Sequence, residues 1–78
     1  MNITTKGEKR LAYLEEHKYP DMSRDDWLEY EILMAVNEQE GNDAKNIINS
    51  FNIKYDYERN KYYDAFDELL AKGFIGKE

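Results

Sequence analysis

Between Asp43 and Tyr63 the chain groups side chains that suit one kind of ligand. Lys45, Asn46 and Asn49 come first, Lys54 follows, and Tyr57, Arg59, Asn60, Lys61 and Tyr63 complete the set. Arg and Lys match phosphates and guanine edges, Asn matches adenine, and a Tyr hydroxyl can donate to a phosphate. That is the chemistry of a nucleic-acid face. Residues 43–63 hold four basic and three acidic groups, net +1, within a chain of net charge −6. Asp56 and Glu58 put negative charge at the same place. The opposing reading of these side chains is a solvated surface laced with i,i+3 and i,i+4 pairs.

A second surface has the opposite sign. Asp21, Asp25, Asp26, Glu29, Glu31, Glu38 and Glu40 face one basic residue, Arg24, over residues 21–42, net −6. Such a block either solubilises a buried helix or meets a basic partner, as a DNA mimic would. Tyr55, Tyr57, Tyr62 and Tyr63 crowd one short region, where they could stack bases or anchor a protein. Tyr62 reads as core, the others as packed rings with exposed hydroxyls. Trp27 and Met34 read as core as well.

Enzyme chemistry has little to work with. His17 is the sole histidine, there is no cysteine, and Ser23 and Ser50 are the serines. No nucleophile–base pair can be built from these. Asn37 to Asp43 lacks the spacing of a calcium loop, and no phosphate-cradling glycine loop occurs. No catalytic residue, metal or cofactor is expected.

Four helices must position these groups. Thr5 and Glu8 form a capping box for a helix over about Lys6 to His17, with Leu11, Ala12 and Leu14 apolar and Tyr19-Pro20 as its stop. A turn through Asp21-Met22 leads to Ser23, which caps a helix over about Arg24 to Glu40. Trp27, Leu28, Tyr30, Ile32, Leu33, Met34, Ala35 and Val36 make that helix apolar around most of its circumference, so it belongs at the centre. Gly41 ends it in the left-handed region. Asn42 or Asp43 caps the third helix, whose stripe is Ala44, Ile47, Ile48 and Phe51. Asn52 takes a left-handed turn and Ile53 plugs the turn. Asp56 caps the fourth helix, which buries Tyr62, Ala65, Phe66, Leu69 and Leu70 and stops at Gly73.

At 78 residues this is one small domain. Such a chain buries only about 60% of its unfolded surface, so stability is thin and homodimerisation is a natural supplement. Apolar residues make up 41% of it and aromatic residues 14%, enough for a core without disulfides. Nothing resembles a signal peptide or a membrane span, so a cytoplasmic protein is expected. The Asn2-Ile3-Thr4 glycosylation match then reads as chance.

Residues 28–75 resemble the three-helix core of winged helix-turn-helix regulators, the broad group of MarR-like and PadR-like proteins. Leu28-Glu29-Tyr30-Glu31-Ile32-Leu33, Ala44-Lys45-Asn46-Ile47-Ile48, Phe51-Asn52-Ile53 and Leu69-Leu70-Ala71-Lys72-Gly73-Phe74-Ile75 carry the resemblance. It implies a mainly α, winged-helix-like domain, residues 1–22 forming an extension and 23–75 the helix-turn-helix core. It implies double-stranded DNA as partner, read in the major groove by the helix from about residue 57. Ile3-Thr4-Thr5-Lys6-Gly7-Glu8 with Leu11 is similar to the segment that enters the closing helix in such regulators, here placed before the core. Asn2-Ile3-Thr4 is therefore expected to pair with Phe74-Ile75-Gly76 as a minimal two-stranded sheet. From Ile53 to Gly73 the chain is about one helical turn longer than this group usually shows, and no ordinary wing is expected after Ile75. The expected function is a small DNA-binding regulator. The alternative is an acidic protein-interaction module, such as a phage- or plasmid-borne inhibitor or DNA mimic, using residues 21–40 and the tyrosines.

Overall fold

The computed structural model describes residues 1–17 and 22–76. In chain order these form β1 (Asn2–Ile3), α1 (Thr5–His17), α2 (Arg24–Glu38), α3 (Ala44–Asn49), α4 (Asp56–Lys72) and β2 (Ile75–Gly76). The protein is mainly helical, with one small antiparallel sheet.

Helix α2 takes the centre, as its near-continuous apolar run requires. Ile32, Leu33 and Val36 are fully enclosed and Tyr30 and Ala35 nearly so. Leu14 of α1, Ile47 and Ile48 of α3, Phe66 and Leu69 of α4, and Ile75 of β2 close round them as one cluster. Each helix thus buries a single stripe against α2 or its neighbours. Ser23 caps α2 by accepting from the Asp26 amide at 3.1 Å. Asp43 caps α3 by accepting from the Asn46 amide at 2.9 Å.

The sheet joins the two expected segments and is antiparallel, with Asn2 opposite Gly76 and Ile3 opposite Ile75. Its lock is Thr4. The Thr4 amide donates to the Phe74 carbonyl at 3.1 Å, and its hydroxyl donates to the Gly73 carbonyl at 2.6 Å. The same hydroxyl accepts from the Gly7 amide at 3.0 Å. Thr4, not Thr5, is consequently the cap of α1, because only Thr4 sits outside the first turn. Gly7 lies against β2 so closely that a Cβ would stand 1.9 Å from the Phe74 carbonyl oxygen.

Several local expectations change. Gly41 is left-handed (φ 90°), but α2 already ends at Glu38, and the Gly41 amide bonds to Met1 and Asn2 of the N-terminal strand. Asn52 is not left-handed: among the described residues only Gly41 and Gly73 have positive φ. Tyr55, without a side-chain cap bond, precedes α4, and Asp56 is its first residue rather than its cap. Ala12 is exposed, whereas Gly7, on the same side of α1 as Leu11 and Leu14, is buried. Helix α4 runs 17 residues to a left-handed stop at Gly73. Lys18, Tyr19, Pro20 and Asp21, which bear on the end of α1, the following turn and the acidic block, lie outside the described residues. Among the described residues no helix is long and apolar enough to cross a membrane.

Candidate nucleic-acid interface

The nine sequence-predicted side chains divide according to where α3 and α4 put them. Ile47 and Ile48 are buried, which turns Lys45, Asn46 and Asn49 outward; all three are exposed. Lys54 is exposed in the turn between the helices. Arg59, half-buried on α4, reaches across and donates from Nη1 to the Asn49 carboxamide oxygen at 3.0 Å. That bond ties α3 to α4, and the edge they share with the intervening turn carries Lys45, Asn46, Asn49, Lys54 and Arg59. Among the described residues none of these cations is in an ion pair, since both recorded pairs belong to Arg10. Tyr63 lies one turn beyond Arg59 on that side of α4, but its ring packs half-buried against the core. It offers the edge less than its residue type promised.

Lys61 does not join this edge. Two residues along an α-helix is about 200° of rotation, so Lys61 faces nearly opposite to Arg59. It lines two adjoining clefts, of about 440 and 530 Å³, that run between α2 and α4. Tyr57, one turn before it, is strongly exposed, stacks with Tyr55 at 5.6 Å, and lines the second cleft. Asn60 is exposed on the outward face between the two sides. Beside it on that face stand Asp56, Asp64, Asp67 and Glu68 against Lys61 and Lys72. The surface that a reading helix would present to a groove floor is anionic over most of its length.

The acidic block is also subdivided. Glu29 is buried, not part of an open surface. Arg10 holds it from α1, Nε to Oε2 at 2.6 Å and Nη2 to Oε1 at 3.3 Å, and reaches Asp26 at 3.4 Å. The bond to Glu29 raises the Arg10 pKa further, so this cation is permanent. Glu31 accepts from the Tyr62 hydroxyl at 2.9 Å. Burial, then that bond, push the Tyr62 pKa up to about 12. Asp25, Glu38 and Glu40 stay exposed.

Arg10 and the cleft between α2 and α4 were not singled out by residue type alone. A signal for Arg10 existed: a carboxylate at 29, amid apolar neighbours, needs a cation from a packed element. Among the described residues no group of three His, Cys, Asp or Glu is placed to hold a metal. No family model, characterised protein or solved structure matches the chain.

Proposed function

We propose that this chain is a small DNA-binding domain of the helix-turn-helix kind, gripping duplex DNA by the edge shared between α3 and α4. The Arg59–Asn49 bond carries this reading, because it ties two helices into one cationic and amide-bearing rim. The resemblance of residues 28–75 to winged helix-turn-helix cores supports it independently. Lys45 and Lys54 brace phosphates on either side, while Arg59 and Asn46 reach base edges or sugars. The acids at 56, 64, 67 and 68 keep the length of α4 from lying deep in the major groove. Contact is confined to its N-terminal turns and to α3. Binding of this kind is weak and salt-sensitive.

The test is anisotropy with a random-sequence duplex at low salt. Arg59→Ala and Lys54→Ala should each weaken binding about fivefold, equivalent to about 1 kcal/mol, with helicity unchanged. Lys61→Ala should leave it unaltered. No binding by the parent chain at low salt overturns the proposal. A separate observation, the charge of the cleft between α2 and α4, favours a second reading as a protein-interaction module.

A further inference from the structure

We propose that the groove between α2 and α4 docks a basic amphipathic helix of a partner protein. The two clefts share Asp25, Leu28 and Lys61, so they form one continuous depression. Its floor is apolar: Leu28, Ala65 and Leu69 at one end, Trp27 and Tyr62 at the other. Its walls are mainly acidic, and the acids are of two kinds. Glu29 and Glu31 are occupied by Arg10 and Tyr62. Asp25, Glu58, Asp64 and Glu68 form no ion pair among the described residues. Of the carboxylates without a cation, Asp25 on the α2 rim and Asp64 and Glu68 on the α4 rim are exposed, whereas Glu29 is buried. Arg24, Lys61 and Lys72, which also line it, reduce the negative charge without reversing it.

Dimensions and chemistry select the occupant. From Tyr57 to Lys72 the α4 wall runs about 22 Å, the length of a helix of about fifteen residues. Asp64 and Glu68 are one turn apart, matching the spacing at which a second helix presents successive side chains. An apolar floor calls for an apolar face on the ligand, and acidic rims call for Lys or Arg flanking that face. Trp27, Tyr57 and Tyr62 add aromatic faces for a cation entering the second cleft. A polynucleotide is disfavoured here, since its phosphates would meet the acids. This inference does not rest on the DNA reading, because it uses the opposite side of α4.

Trp27 is the chain's single tryptophan and lines the groove, so its emission reports occupancy. The probe is a peptide of about fifteen residues with Leu at i, i+3, i+4 and i+7 and Lys elsewhere; its control carries Glu for Lys. The basic peptide should shift Trp27 emission saturably, and the acidic one should not. Asp64→Lys with Glu68→Lys, both exposed positions whose fold is checked by circular dichroism, should weaken the basic peptide about tenfold. No response, an equal response to the acidic peptide, or unchanged affinity in the double variant overturns the inference. So does duplex DNA that produces the same Trp27 shift and competes with the peptide.

Discussion

Two sides of one helix carry opposite chemistry. Toward α3, α4 presents Arg59 to Asn49, with Lys45 and Lys54 nearby and no carboxylate bonded to any of them among the described residues. Toward α2 it presents Lys61 amid Asp25, Glu58, Asp64 and Glu68. Arg59 and Lys61 are two positions apart in sequence and belong to different surfaces. A cluster of cations in sequence is therefore not a cluster in space. Net charge over a segment does not describe what a ligand meets.

The comparison is broken most severely at Arg10. It clamps Glu29 on the α2 side, where the carboxylate is nearly buried, and so does structural work that Arg59 does not. Arg10→Ala leaves that carboxylate without its cation, which should cost about 3 kcal/mol. In a domain this small the melting temperature should fall by more than about 10 °C. Arg59→Ala removes one exposed hydrogen bond and should move it by only a few degrees. Equal melting shifts in a calorimetric scan would erase the distinction between the arginine that clamps Glu29 and the one on the α3 edge.

The next effect sharpens the cationic edge alone. If Lys45 and Lys54 are its phosphate contacts, log affinity for duplex DNA should fall against log salt with a slope of about −2. Lys54→Ala should reduce the slope by about one unit, and Lys61→Ala should leave it in place. A Lys61 variant that lowers the slope as Lys54→Ala does would merge the two surfaces that the geometry separates.

How much of this was legible follows from the range of each interaction. The order of four helices and the stop at Gly73 rest on periodicity and glycine, both readable locally. The pairing of residues 2–4 with 74–76 joins the two ends of the chain and is expected only through the resemblance of the N-terminal segment. Ser23 and Asp43 cap as their types imply. Thr4 displaced Thr5 because its hydroxyl also serves the Gly73 carbonyl, 69 positions away, a contact no local window contains. Asn52 escaped the left-handed region that its type tolerates. The division of Arg59 from Lys61 was latent in the helical period, yet it acquired meaning only once α3 and α2 stood on opposite sides of α4. The Arg10–Glu29 pair spans two helices and 19 positions, so only packing reveals it.

The smallest expected effect lies on the α2 side, at Tyr62. Its hydroxyl donates to Glu31, and its ring meets Phe51 at 5.0 Å, so it links α2, α4 and the end of α3. Burial and the neighbouring carboxylate both disfavour the phenolate, which raises the folded-state pKa to about 12 from an ordinary 10. A raised pKa adds stability that is complete below the unfolded value and lost as pH climbs through the folded one. Near neutrality the Tyr62 contribution should thus be fully present and stability flat with pH, and stability should then fall from about pH 10 towards 12. Tyr62→Phe keeps the ring and removes the titration, so denaturant midpoints should fall less steeply over that window than in the parent chain. Identical alkaline slopes in both would place the Tyr62 hydroxyl in solvent rather than on Glu31. The α2 side would then lose one of the two bonds that keep its deeper carboxylates occupied.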